Sequence, residues 1–440
     1  MTNSFSRTPL SRRGLLGATA GVGASALLTS CVGSGGGGGA AGGGGAGGGG
    51  GGGGGPLVFQ NSIQDTAPKA ALEEIVASYE GDVTMNSVAT EQFRAQLTNY
   101  LRASDPPDVI SWYAGSVARD YAAEGLLLDV SDLWTGNGAC AGFSDALREL
   151  STAEDGTQIF VPTNYYWWSV FYKRSAFEEW GVEPPTTWDE FLALCENLSG
   201  QGIIPLANGI GPTPWMASGW FDYLNLRING PDYHLALLAG ERSFTDPEVV
   251  DVMEQYERLI PYFDPNMASY DAQQGATPLV QNEAGMYLIG AFVSQYLPED
   301  QRDDLDFFSV PVINDAVPTA EEAPTDGFFA AAGTGDPEGT KAFLSYLASA
   351  EQQQAFIEGA GSSNLPTSPD VDTSNFAPLV QKGIELLGST ERITQFFNRD
   401  SSDALQTTAD AALTRFLSDP SSRDEVLQEW QAAAERVFGG

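Results

Sequence analysis

One stretch carries most of the residues able to do chemistry. Residues 157–191 read TQIFVPTNYYWWSVFYKRSAFEEWGVEPPTTWDEF. A short apolar run ends at Pro162, and Tyr165, Tyr166, Trp167, Trp168 and Tyr172 then crowd around the polar pair Thr163 and Asn164. Aromatic faces beside an amide suit a ligand with flat apolar C–H faces and hydroxyl edges, which describes a sugar ring. The same composition also suits the core of a strand pair, and at the level of composition both readings stand. Asn164, Tyr165 and Trp168 are the candidates here.

Other chemistries fit poorly. His234 is the only histidine, so no histidine cluster can hold a metal, and the cysteine spacing supplies no zinc site. No G-x-S-x-G elbow accompanies it. The run from Gly333 to Lys341 reads GTGDPEGTK, which lacks the G-K-[ST] order of a phosphate loop and places Pro337 where an amide is needed. A glycosidase needs two carboxylates across a cleft. With 58 acidic residues such pairs arise by chance, and none lies inside the aromatic cluster. We therefore expect no enzymatic activity, no cofactor and no metal.

The elements that must position these residues are legible. Leu57–Phe59 reads as a strand, 67–79 as an amphipathic helix, 83–86 as a strand, 91–103 as a helix and 108–112 as a strand. This alternation predicts an α/β fold with a parallel sheet. Ligands of such sheets bind beyond the carboxyl ends of the strands. That rule gathers the loops 60–65, 88–92 and 112–116, and makes Asn61, Asp65 and Glu91 candidates. Further on, Ser175 is expected to cap a helix ended by Gly181, and Thr187 with Glu190 forms a capping box. A helix opened by Pro214 brings Trp215 and Asp222 forward as candidates, with a buried amphipathic face as the alternative.

The order of V-P-T-N-Y-Y-x-W, F-Y-K-R-S-A-F-E-E-W-G and P-P-T-T-W-D-E-F resembles the crossover between lobes in the extracellular solute-binding proteins of bacterial ABC importers, and in particular their carbohydrate-binding group. The resemblance spans nearly all of residues 57–440. It implies a two-lobed, type II periplasmic-binding-protein-like fold with the ligand cleft between the lobes. The expected lobes are 57–164 with 306–350, and 165–305 with 351–440. The resemblance further implies that Trp112 and Tyr113 stack on sugar and that Gly115 lets backbone approach it. A-x-M-x-x-x-G-x-[WF] carries the same implication for Gly290 and Phe292. Asp326 would lie near the cleft, and Phe397 and Asn398 would sit in a C-terminal ligand loop. The implied partners are a mono- or oligosaccharide and the permease subunits, with the receptor acting as a monomer. A polyol or glycerol phosphate is the alternative ligand, and a secreted glycosidase the remoter one.

The first residues bear on location. Arg12 and Arg13 precede an apolar segment too short for a confident membrane span, and Leu28-Thr29-Ser30-Cys31 resembles a lipobox. We expect 1–30 to be a twin-arginine lipoprotein signal, Cys31 to be lipidated, and 31–55 to be a glycine-rich tether. As a flexible coil the tether would span roughly 25–30 Å. The membrane is then met only through the anchor, on the outer face of the cell membrane. The formal net charge of −37 disfavours nucleic acid as a partner. Cys140 and Cys195 could pair in an exported protein, and their spacing leaves this open.

Overall fold

The computed structural model describes residues 55–64, 66–360 and 364–439, without the side chains of Thr90, Glu91 and Asp403. The expected signal, the tether and Cys31 lie outside the described residues, as does Asp65. Among the described residues no helix is long and apolar enough to cross a membrane.

Among the described residues twelve strands, numbered in chain order, form three sheets. They are β1 (Leu57–Asn61), β2 (Val83–Ser87), β3 (Val109–Tyr113), β4 (Val161–Tyr165), β5 (Trp168–Lys173), β6 (Ile204–Ala207), β7 (Ala284–Gly290), β8 (Leu305–Phe308), β9 (Ala320–Glu322), β10 (Thr325–Ala330), β11 (Leu365–Pro366) and β12 (Arg392–Thr394). The first sheet has the order β11-β4-β10-β3-β1-β2. Its β1, β2 and β3 are parallel, as the strand–helix alternation predicts, whereas β10 runs antiparallel to both β3 and β4. The second sheet has the order β6-β7-β5-β8, and β9 pairs with β12 alone.

Strand direction decides which residues meet. Tyr113 and Asn164, at the carboxyl ends of β3 and β4, both lie opposite Asp326 at the start of β10. Leu365 of β11 lies opposite Tyr165. One edge of the first sheet therefore collects the ends of four strands. In the second sheet Trp168 begins β5 opposite Gly290, the last residue of β7. Only Tyr166 and Trp167 separate β4 from β5, so the two edges adjoin.

The helix Met216–Ile228 is buried on every side through Arg227. An all-round buried helix must satisfy its polar side chains internally. The Arg227 guanidinium does so with the Val310 carbonyl at 2.8 Å and the Glu321 carboxylate at 2.6 Å. Tyr223 donates to the Trp168 carbonyl at 2.6 Å. This helix thus ties the second sheet to β9.

Several expectations change. The last crossing between the lobes falls beyond residue 366, not near 350. The reason is that β11 belongs to the first sheet and the helix Ala350–Ala360 packs on the helix Thr66–Ala77. Residues 306–308 belong to β8 in the second sheet. Ser175 is not a cap: the helix starts at Arg174, and the Asp304 carboxylate accepts from the Ser175 amide at 2.8 Å. Cys140 and Cys195 are separate buried thiols. Burial raises both thiol pKa values, that of Cys140 to about 12.

The Thr187 capping box is present. Thr187 Oγ1 accepts from the Glu190 amide at 3.2 Å, and the Glu190 carboxylate accepts from the Thr187 amide at 3.1 Å. Thr187→Ala removes half of it and is expected to lower the unfolding free energy by about 1 kcal/mol. Urea denaturation checks this, and an unchanged midpoint and slope would contradict it.

Candidate ligand-binding site

The edge of the first sheet opens onto a cavity of about 430 Å³. Trp112, Tyr113, Asn164 and Asp326 line it, from three different strands, together with Arg399 from the short helix Phe397–Asp400. Trp112 and Tyr113 stack on each other with ring centroids 4.6 Å apart, and Phe93 backs Trp112 at 5.8 Å. Arg399 lies 4.0 Å above the Tyr113 ring centroid and pairs with Asp326 at 2.8 Å. It also donates to the Tyr166 hydroxyl at 3.4 Å. Burial raises the Asp326 pKa, and the guanidinium pulls against that rise. The pair is thus a neutral, hydrogen-bonding unit on the cavity wall. Asn164 Oδ1 accepts from Asn364 at 2.7 Å.

A second aromatic group sits across the crossover. Trp168 stacks on Phe396 at 4.5 Å and meets Trp215 and Phe292 edge-on at 6.1 and 6.2 Å. Trp168 is 1% exposed and acts as the backing of this group, while Trp215 and Phe292 are half-buried. Gly290 leaves room for rings: a Cβ there would lie 2.4 Å from Phe292 and 3.0 Å from Tyr166. Tyr165, half-buried, ends β4 and is not among the residues lining the cavity.

Other candidates are placed elsewhere. The Asn61 side chain is engaged by the protein, donating to the Asn86 carbonyl of β2 and accepting from the Ile63 amide and the Ser87 hydroxyl. The space beside Gly115 is filled by protein: a Cβ there would lie 2.6 Å from Asp400 Oδ1, and that carboxylate accepts from the Ser116 amide at 3.1 Å. Phe397 is fully buried against Phe221 and Trp430. Asn398 lines a second cavity of about 320 Å³, on the far side of Trp112 and Tyr113. The side chain of Glu91 lies outside the described residues. Arg399 is not among the sequence candidates for sugar contact, although it directly follows Phe397 and Asn398 in the sequence. Nothing in the local pattern says which residue of that turn faces the cavity.

Asp222 is a buried acid rather than a wall of the cavity. Its Oδ2 accepts from the Phe397 amide at 2.9 Å, and its other oxygen has no such donor. Its carboxyl meets that of Glu322, which is equally buried. Two such groups can bond only when a proton lies between them. Burial, above all, raises Asp222 to about 8, and Glu322 is raised well above its usual range.

Two sheets with adjoining edges, crossed repeatedly by one chain, with a polar and aromatic cavity at the edge of the first that Arg399 closes from the C-terminal segment, define a two-lobed solute receptor. The profile of the bacterial extracellular solute-binding proteins matches residues 60–354, and the chain belongs to that family. An uncharacterized ABC transporter extracellular-binding protein of Pyrococcus horikoshii is 25% identical, over 67% of this chain and 66% of its own length. The alpha-glucosides-binding periplasmic protein AglE of Rhizobium meliloti is 26% identical over 73% of each chain. The solved structure of the bacterial solute receptor AcbH, described as having an exclusive preference for β-D-galactopyranose, is 30% identical. It superposes with a TM-score of 0.81 over 87% of this chain and 99% of that one.

Two predictions follow from this geometry. Trp168→Ala empties the centre of the aromatic group and is expected to cost about 3–5 kcal/mol of stability, read by denaturant unfolding. Asp222 has a folded pKa raised above the ordinary 3.8. Its contribution is therefore fully present below about pH 3.8 and is lost as pH rises toward about 8. Asp222→Asn carries no such titration, and its amide can donate to Glu322. Its melting temperature relative to the unaltered protein should rise steadily between pH 4 and 8. A pH-independent difference would contradict the shared proton.

Proposed function

We propose that this chain is the binding subunit of an ABC importer that captures a carbohydrate and delivers it to the permease. The observation that carries this reading is the convergence of Trp112, Tyr113, Asn164, Asp326 and Arg399 on one cavity. The faces of Trp112 and Tyr113 are taken by each other, Phe93 and Arg399, so the rings offer apolar edges to C–H groups, while the amide and the ion pair supply partners for hydroxyls. The ligands named for AglE and AcbH, alpha-glucosides and β-D-galactopyranose, support a sugar. An anionic ligand such as glycerol phosphate is favoured less, because the guanidinium that would hold it is already neutralised by Asp326.

In this reading the first lobe is 57–165 with 325–366, and the remainder forms the second. Sugar held at the junction touches both lobes only when they are closed, and so shifts the population toward the closed form. That form is the one presented to the permease. No bond in the ligand is broken. The lipobox-like Leu28–Cys31 and the glycine run support export and a lipid anchor at Cys31.

Titration of the purified protein with mono-, di- and oligosaccharides, followed by tryptophan fluorescence, tests the reading. We expect saturable binding to one sugar class, with the sugar recovered intact. Amino acids, peptides and glycerol phosphate serve as controls, and saturation by one of these alone would refute a sugar receptor. Trp112→Ala is expected to weaken sugar binding at least fivefold, the loss of about 1 kcal/mol from aromatic contact and from the support of Tyr113. Unchanged affinity with the fold intact would remove this cavity as the site.

A further inference from the structure

The cavity is zoned. Tyr113, Asn164, Asp326 and Arg399 stand at the sheet edge, but the lining continues inward to Leu72, Ile75, Phe328 and Leu347. The chain path fixes which end is deep. The helix Thr66–Ala77 leaves the edge after β1 and returns to the start of β2 at the opposite edge. From Pro68 to Ile75, both on the lining, it therefore recedes by about 10 Å. Tyr346 donates to the Ile75 carbonyl at 2.9 Å, which places its neighbour Leu347 at that same inner end. Along β10 the lining likewise passes from Asp326 at the edge to Phe328 inside.

The inner wall offers few free polar groups. Gln353 is spent on the protein: its Oε1 accepts from the Thr367 and Ser368 amides, and its Nε2 donates to the Ala348 carbonyl. Ser111 Oγ accepts from the Ser62 amide at 3.4 Å and keeps its O–H as a donor. Among the described lining residues inward of the edge, Thr163, next to Asn164 on β4, and Gln352 are the other polar side chains. A free sugar has hydroxyls on every side and would bury several of them there without partners, at a cost of one to several kcal/mol each. An aliphatic or aromatic group meets no such penalty. It also restores contacts that an apolar wall lacks when nothing lies against it.

We propose that the ligand is a glycoside with an apolar aglycone. The sugar ring lies at the sheet edge among Tyr113, Asn164, Asp326 and Arg399, and an alkyl or aryl group reaches inward toward Ile75. This rests on the sugar-receptor reading and names the class of sugar derivative it takes.

The test is a homologous series. Free glucose and galactose, then methyl, butyl and hexyl α-D-glucopyranoside and β-D-galactopyranoside, are titrated by calorimetry below their micellar concentrations. The methyl glycoside is the internal reference. Burying a methylene contributes up to about fourfold in affinity. We expect hexyl to bind at least tenfold tighter than methyl for the preferred sugar. Ile75→Thr, which keeps the branched shape but adds a hydroxyl, should cut the hexyl-to-methyl ratio several-fold. If sugar binds and the ratio stays near one, this inference fails and the receptor reading survives. A large ratio that Ile75→Thr and Leu347→Gln both leave intact places the tail elsewhere and also overturns it. If neither free nor alkylated sugars bind, both readings fall together.

Discussion

The shortness of the link between β4 and β5 constrains everything else. Two residues, Tyr166 and Trp167, carry the chain from one sheet to the other. So short a link spans only about 10 Å even when extended. The edge bearing Asn164 and Tyr165 must therefore lie beside the edge bearing Trp168 and Gly290. Trp167 is fully buried, packed on Phe171 and Phe307, so the link is anchored in the second lobe. Tyr166 stays half-buried at the junction, with Arg399 on one side and Phe292 on the other.

The C-terminal segment completes the junction through polar contacts. β12 pairs with β9, and Gln395 then bonds the Thr325 amide and the Ala114 carbonyl. Asp400 accepts from the Ser116 and Gln395 amides. These bonds are largely buried, where satisfied networks hold geometry firmly and broken ones are costly. They fix a single helical turn so that Arg399 reaches Asp326. The residue that neutralises the cavity wall is thus positioned by contacts made some 280 residues away in sequence.

Much of this was legible early because its causes are local. Pro and Gly punctuation, the Thr187–Glu190 box and the alternation of strand and helix act over a few residues. They foretold the parallel β1, β2 and β3 and the strand end at Trp112 and Tyr113, whereas Asn164 stood out by its aromatic neighbours and Asp326 only through the family resemblance. The order of the motifs pointed to a solute-binding receptor, and the family match agrees with it. Ser175 misled because its spacing suits a cap, whereas the acid that caps that helix comes from Asp304, distant in sequence.

What the sequence determined by itself was the class of fold and the strand ends at which a ligand could be met. Tertiary structure decided which side chains face that space. In the turn 397–400 successive residues rotate by about 100°, so Phe397 and Arg399 point to nearly opposite sides. One enters the core against Trp430 and the other reaches the cavity. The placement of β11 and of the helix Ala350–Ala360 with the first sheet was decided in the same way, by the pairing of β11 with β4 and the packing of that helix on Thr66–Ala77. Side-chain facing in a short turn, and pairing between strands some 200 residues apart, depend on long-range packing that no local window contains.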